Sequence, residues 1–359
     1  MEDLVNPAVW AGRPVFVTGH TGFKGGWLVK WLARMGARVH GFALAPATEP
    51  SMFDVANIED GLASDTRADV LELDPLRVSM AAAAPAVIFH LAAQPLVAES
   101  YRDPLGTFAV NVMGTANVLE AARGAACVRA IVVVTTDKVY ANADTAEPFT
   151  ESAPLGADAD PYSASKAAAE IAVAAWRRSF FASRGIPVAT ARAGNVIGGG
   201  DWSPQRLLPD CLAAFQAGQA VRLRFPGAVR PWQHVIESLA GYITLAQALL
   251  AGRTDLERGW NYGPDTRSEA TVGEVARMAA ASWGEAATVN WPDGQEAHPR
   301  EAGLLRLDST AIRKATGWRP RWYLKECITR TVAWHRAWLQ GADMSAHTLA
   351  DIAAWENAI

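Results

Sequence analysis

Tyr162 and Lys166 stand four residues apart in Asp160-Pro161-Tyr162-Ser163-Ala164-Ser165-Lys166, a stretch that reads as the start of a helix. At that spacing the two side chains share one helix face. An ammonium beside a phenol favours the phenolate, and a phenolate can take the proton of an alcohol while hydride leaves the same carbon. Thr136 adds a hydroxyl at the end of a continuously apolar run, and Asp137 and Lys138, an acid and a base, follow it directly. Upstream, Gly19-His20-Thr21-Gly22-Phe23-Lys24-Gly25 has the spacing G-x-x-G-x-x-G between a β-rich run and a helical pattern. Glycines in such a loop let the backbone turn sharply and approach a pyrophosphate, whose charge the helix N-terminus meets. Singly, each feature has an ordinary reading: a helix-start tyrosine with a solvated lysine, a strand-end ion pair, a glycine turn without a ligand. In one chain and in this order they point to alcohol oxidation by a bound dinucleotide.

The elements that must position these groups alternate. Strands are expected at Arg13–Thr18, Arg38–Leu44, Asp69–Leu73, Ala86–Leu91, Ala130–Thr135 and Pro187–Ala193, and helices at Gly22–Gly36, Pro104–Ala126 and Ser163–Phe181. Strands alternating with helices imply a parallel sheet with right-handed crossovers, an α/β doubly wound fold of Rossmann type. After Asn195 the alternation breaks: Gly198–Trp202 reads as a loop and Leu207–Ala217 as a short helix. Val221–Phe225 and Trp232–Val235 read as edge strands, and Ser238–Ala251, Val272–Trp283 and Leu324–Leu339 as helices. The second half is expected to form a smaller mixed α/β substrate lobe over the carboxyl edge of the sheet, where open α/β folds bind ligands. The expected division is 1–192 plus 230–262 for the dinucleotide domain, 193–229 plus 263–345 for the lobe, and 346–359 as a C-terminal tail.

Composition narrows the function classes. The chain has 359 residues, 50% of them hydrophobic and 19% charged, with a net charge of −4. That is globular and slightly acidic, which argues against sequence-independent nucleic-acid binding. Cys127, Cys211 and Cys327 are too few and too scattered for a disulfide framework or a metal knuckle, and the seven histidines show no ligand spacing, so no metal is expected. No G-x-S-x-G elbow is present. MEDLVNPAVW is acidic and lacks the apolar core of a signal peptide. Met80–Val97, the most apolar run, is broken by Pro85, His90, Gln94 and Pro95. A cytoplasmic protein with no membrane span is the expectation. The 14 tryptophans are not explained by fold class alone.

The glycine loop, the strand-end hydroxyl and YxxxK together resemble the extended short-chain dehydrogenase/reductases. The Asp-Lys pair after the hydroxyl resembles the CDP-D-glucose 4,6-dehydratases of that group. So do GHTGFKGGWL (19–28), HLAAQPLV (90–97), SYRDP (100–104), NVMGT (111–115), RAGNVIGGGDW (192–202), RPWQHV (230–235), WNYGP (260–264) and HPREAGLLRLD (298–308). One departure is Val139, where the family commonly has Cys.

The resemblance implies a lyase that converts CDP-D-glucose to its 4-keto-6-deoxy form. C4 is oxidised by bound NAD, water is lost across C5 and C6, and hydride returns to C6. It implies Thr136, Tyr162 and Lys166 as the oxidising triad, Asp137 as the acid at C6 and Lys138 as the base at C5. The cofactor site would comprise Gly19, Thr21, Gly22, Phe23, Lys24, Gly25, Asp69, Val70, Leu91, Ala92 and Ala93 together with Tyr162 and Lys166. The local sequence itself leaves NAD or NADP open: Gly41–Ala45 offers neither an acidic residue for a ribose hydroxyl nor an arginine for a 2′-phosphate. Gln94, Asn195, Asp201, Arg206 and Arg230 are the candidate substrate contacts, with Arg230 suited to a diphosphate. His298 and Glu301 match a family stretch without an assigned role. The family also implies a homodimer or tetramer that pairs through the Pro104–Ala126 and Ser163–Phe181 helices. The alternatives on this sequence are a sugar-nucleotide 4-epimerase, which needs no acid–base pair, and a non-catalytic dinucleotide sensor, which tends to lose the Tyr or Lys.

Overall fold

In a computed structural model, residues 4–142, 147–156, 160–223, 225–290 and 304–358 are described. Seven parallel strands form the central sheet: β1 (Pro14–Thr18), β2 (Arg38–Ala43), β3 (Leu62–Arg67), β4 (Val87–His90), β5 (Ala130–Val134), β6 (Val188–Ala193) and β10 (Gly259–Tyr262). Their spatial order is β10-β6-β5-β4-β1-β2-β3. The order reverses between β1 and β4, and at such a switch point the carboxyl ends of the strands splay around a crevice. β5 and β6 are buried at every position, as strands covered on both faces must be. This is the doubly wound fold expected from the alternation.

β7 (Asn195–Ile197) leaves the main sheet and pairs with β9 (Val229–His234), which also pairs with β11 (Glu269–Thr271). β8 (Val221–Arg222) pairs with β12 (Val289–Asn290). These two small sheets and the Leu207–Gln216 and Val272–Trp283 helices stand over the carboxyl edge of the main sheet.

Several boundaries differ from the sequence reading. The third strand is Leu62–Arg67, not Asp69–Leu73. As the edge strand it is mostly half-buried or exposed and polar, so it carries no apolar run. The apolar residues after Asp69 belong to a turn, closed by Leu71 N donating to Asp69 Oδ1 (2.9 Å), before the Leu73–Ala83 helix. Trp232–Val235 is no edge: β9 is the middle strand of its small sheet. The stretch read as a tail is a helix, Met344–Glu356. It docks on the Phe23–Arg34 helix by an edge contact of Trp355 with Trp31 (5.3 Å) and a hydrogen bond from Trp31 Nε1 to Glu356 Oε1 (2.9 Å). The tryptophans are mostly core: Trp10, Trp27, Trp31, Trp318, Trp334 and Trp355 are fully buried.

Among the described residues no helix is long and apolar enough to cross a membrane, and no cluster of three or more His, Cys, Asp or Glu could hold a metal.

Candidate active site

A cavity of about 600 Å³ opens at the carboxyl ends of β1, β4, β5 and β6. The Gly19–Gly25 loop forms one end, between β1 and the Phe23–Arg34 helix. Gly19 has φ +75°, and a Cβ there would meet the backbone of Ala92 and Leu91 at 2.7–2.9 Å. A Cβ on Gly25 would lie 2.1 Å from Gly19 O. The loop can pack this closely only with glycine at both places. No side chain caps the helix, so its first N–H groups remain available to an anion. Asp69, Val70, Leu91, Ala92 and Ala93 line the same cavity, and the set fits a dinucleotide. Thr21 Oγ1 and Arg67 Nη1 both donate to Leu44 O, at 3.0 and 3.4 Å. An arginine therefore does reach the end of β2, from β3, although none is adjacent in sequence. Asp65 engages it at 2.7 Å and also accepts from buried His20 (2.8 Å).

The chemical end is built by β5 and the Pro161–Trp176 helix. Asp160 starts that helix as its cap, accepting from Ser163 N (2.8 Å) and Ser163 Oγ (2.7 Å) with separate oxygens. Pro161 at the first helical position fits the same start. Tyr162 and Lys166 then face the cavity. The polypeptide leaves β5 through Thr136 into a single tight turn, Asp137–Val139, with Lys138 N donating to Thr136 Oγ1 (3.4 Å). Thr136 Oγ1 donates to Asp137 Oδ1 (3.0 Å) and lies within hydrogen-bonding reach of the Tyr162 phenol. Asp137 is only 2% exposed, and its Oδ2 has no partner. A buried carboxylate oxygen without a donor is costly to ionise. Burial accordingly pushes the Asp137 carboxyl above its usual range, against the pull of Lys138, Thr136 and Arg230.

Burial also governs the other titratable groups. It lowers the Lys166 ammonium to about 8, with Glu170 opposing. It raises the Tyr162 phenol to about 12, outweighing the Thr136 hydrogen bond. The simple expectation that the lysine would depress the phenol is not met in the chain alone, because desolvation of the phenolate dominates. Lys24, chosen from the sequence only as a loop residue, reaches the chemical end. Its ammonium lies 5.9 Å from the centre of the Tyr242 ring, and burial, with Arg206 and Lys166 nearby, lowers it to about 7. Tyr242 carried no sequence signal, being one residue in the long apolar helix Val235–Leu250.

Asn195, Asp201, Arg206 and Arg230 line the far side of the cavity. Asp201 pairs with Arg206 (2.9 Å) and holds its loop through Ser203 N (3.0 Å). Arg230 is 3% exposed on β9 and faces Asp137 as well as the cavity. Gln94 is the exception. Its Nε2 donates to Thr107 Oγ1 (2.8 Å) and its Oε1 accepts from Leu96 N (2.6 Å). Asn111 brackets its backbone, accepting from Gln94 N (2.9 Å) and donating to Gln94 O (3.1 Å). The side chain fastens its own loop rather than lining the cavity. Asn111 lies in a π-helical stretch, Ala109–Gly114, that interrupts the helix expected over Pro104–Ala126. Such widened turns re-aim single side chains at functional sites. His298 and Glu301 lie outside the described residues.

Comparison with known proteins agrees with this geometry. The family described as GDP-mannose 4,6 dehydratase matches residues 16–331. The CDP-glucose 4,6-dehydratase of Salmonella typhimurium is 43% identical over 346 residues, which covers 95% of each chain. The structure of a Thermus thermophilus UDP-glucose 4-epimerase in complex with NAD superimposes with a TM-score of 0.76 at 28% identity, covering 90% of this chain and 98% of that one. A dTDP-glucose 4,6-dehydratase from Streptomyces venezuelae, solved with NAD bound, gives a TM-score of 0.77 at 24% identity, covering 92% and 98%.

Proposed function

The chain belongs to the GDP-mannose 4,6-dehydratase family of extended short-chain dehydrogenase/reductases, and from that premise we propose that it is an NAD-dependent CDP-D-glucose 4,6-dehydratase. One observation carries the reading beyond the family: buried Asp137 and half-buried Lys138 sit in one turn after Thr136, on the cavity that Tyr162 and Lys166 face. Oxidation alone, or epimerisation at C4, needs no acid–base pair there.

The residues that would hold NAD are the Gly19–Gly25 loop, Asp69, Val70 and Leu91–Ala93, with Tyr162 and Lys166 at the reactive end. The chemistry that NAD supplies when bound is reversible hydride transfer, out of C4 and back to C6, so that net redox is zero. Tyr162 takes the C4 hydroxyl proton, with Thr136 bonding the same oxygen; its phenol, which burial raises in the chain alone, would be brought down by the positive ring of the bound cofactor together with Lys166. The resulting 4-ketone acidifies the C5–H bond. Lys138 takes the C5 proton and gives one back to C5 when C6 is reduced. Asp137, whose carboxyl burial pushes above its usual range, gives its proton to the C6 hydroxyl as water leaves. Asn195, Asp201, Arg206 and Arg230 contact the sugar nucleotide, and Arg230 offers its guanidinium to the diphosphate. Gln94 is not in this set.

We infer a homo-oligomer in which copies pair through the two long helices. The support is a cluster of exposed apolar side chains there: Leu105 (83% exposed), Met113 (56%) and Ile171 (62%), with Phe108 and Phe180 half-exposed. Helices of two subunits that bury such faces form a four-helix bundle.

The test is to mix the purified protein with CDP-, dTDP-, GDP- and UDP-glucose and follow formation of the 4-keto-6-deoxy sugar by its ultraviolet absorbance in alkali and by mass. CDP-glucose should be converted with loss of one water. A C4-inverted sugar without water loss would replace this reading with an epimerase.

A further inference from the structure

Directly behind the turn that carries Asp137 and Lys138 lies a buried carboxylate that the chemistry above leaves unused. Glu170 stands one helical turn past Lys166 and is 4% exposed. Its Oε1 accepts from Thr135 Oγ1 (2.6 Å) and Arg192 Nε (3.0 Å). Its Oε2 accepts from Thr190 Oγ1 (2.7 Å) and Arg192 Nη2 (2.8 Å). Arg192 is equally committed. Its Nη1 donates to the Tyr140 hydroxyl (2.8 Å), which donates on to Asn261 Oδ1 (2.6 Å). Asn261 Nδ2 in turn donates to the carbonyls of Phe149 (2.8 Å) and Asp308 (3.2 Å).

The flanks of the turn converge on this one pair. Thr135, bonded to Glu170, immediately precedes Thr136. Tyr140, bonded to Arg192, immediately follows Val139. Glu170 itself belongs to the helix that carries Tyr162 and Lys166. A buried ion pair adds little net stability over apolar residues of the same volume, but its two-pronged geometry fixes the groups bound to it. Here those groups are the two ends of the acid–base turn, the adjacent strand β6 and the tyrosine–lysine helix.

We propose that Glu170 and Arg192 are positioning residues that hold the Thr136–Lys138 turn in register with the Tyr162–Lys166 face, so that oxidising and eliminating groups address the same sugar; this rests on the dehydratase reading above. Glu170 has a second effect through charge. Lys166 is faced by His90 from β4 and Lys24 from the Phe23–Arg34 helix, and Glu170 is the anion that opposes the loss of its proton.

The test compares Glu170→Gln, Thr135→Val and Tyr140→Phe in the full-length protein. Thr135→Val and Tyr140→Phe each cut one tie to the pair and leave no charge unmatched. Both should lower kcat several-fold, with KM for the sugar nucleotide unchanged and the alkaline limb of the pH profile in place. Glu170→Gln should lower kcat by roughly 10–10²-fold, the scale of an ångström-sized misplacement. It should also move the alkaline limb to lower pH, because Lys166 then loses its proton more readily. The midpoint of Lys166 is read independently of substrate, by NMR of lysine-labelled protein with the signal assigned through Lys166→Met. It should fall in Glu170→Gln. Wild-type kcat in both neutral variants, or an unmoved Lys166 midpoint in folded Glu170→Gln, would overturn the proposal. Should Glu170→Gln not fold, the two neutral variants decide. If the wild-type protein yields no 4-keto-6-deoxy sugar, the dehydratase reading fails, while the Lys166 titration still judges the role of Glu170.

Discussion

At the scale of single residues, three side chains on the cavity divide the proposed reaction between them, and each division can be measured. Tyr162→Phe removes the group that takes the C4 proton and keeps the ring. It should cut kcat by roughly 10²–10⁴-fold, the range for loss of a general base, with sugar-nucleotide affinity little changed. Near-normal turnover by the folded variant would remove Tyr162 from the reaction. Lys138→Met and Asp137→Asn should fail at different steps. Without Lys138 the C5 proton has no acceptor, so substrate incubated in deuterium oxide should gain no label at C5. With Asp137→Asn the base remains, so C5 exchange should persist while loss of the C6 oxygen slows. If Lys138 only braces the turn, both variants should show similar modest defects and C5 should exchange at the wild-type rate.

At the scale of elements, the segments that carry chemistry are fixed by short polar contacts at their ends. The Asp160 cap starts the tyrosine–lysine helix, and the Asn111 clamp holds the loop after β4. A third such contact lies at the start of another buried helix. Glu237, in the first turn of the Val235–Leu250 helix, accepts from Arg321 N (3.0 Å) and Trp322 N (2.7 Å) through one oxygen. Burial raises its carboxyl to about 7. The folded chain therefore holds this proton at pH values where the unfolded chain has lost it. Stability from this group is complete at acid pH and is lost as pH rises from the usual carboxylate range through about 7. Glu237→Gln keeps the accepting oxygen and cannot ionise. Chemical denaturation across pH 5–8 should show the variant gaining on the wild type as pH rises, by up to about 3 kcal/mol. Parallel curves would mean that Glu237 stays ionised throughout.

At the scale of the whole molecule, the main sheet brings the Gly19–Gly25 loop, the Thr136–Lys138 turn and the Tyr162–Lys166 helix together at its carboxyl edge, while the exposed apolar faces of two helices lie on the outside. Ile171→Asp puts a charge on that face. Light scattering coupled to size exclusion should show the wild type as a dimer or larger, and the variant should shift toward monomer at micromolar concentration. A variant of unchanged mass would place the interface elsewhere. The wild type as a monomer would leave those side chains exposed on a scale unusual for an isolated soluble chain.

The fold class and the order of the chemical groups followed from the sequence because they depend on local pattern. Apolar runs of strand length alternating with helical spacing leave few topologies, and GxxGxxG, Thr-Asp-Lys and YxxxK each occupy one continuous stretch. What depended on contacts between distant stretches was not legible there. β3 is polar because it lies at an edge, so the neighbouring turn carried the stronger apolar signal. The last helix looked like a tail because its apolar face is defined only against Trp31 and its neighbours. Gln94 looked available for substrate until Thr107, Leu96 and Asn111 were found to use its polar groups. Arg67 and Tyr242 approach the cavity from positions with no motif to mark them, and Lys24, marked only as a loop residue, reaches the chemical end. The Glu170–Arg192 pair joins a helix to a strand 22 residues later, and its further bond to Tyr140 spans 52. A carboxylate four residues past a lysine reads in sequence as a solvated helix pair. Only the packed sheet removes water from it, and that desolvation turns an ordinary ion pair into a fixed support for the turn.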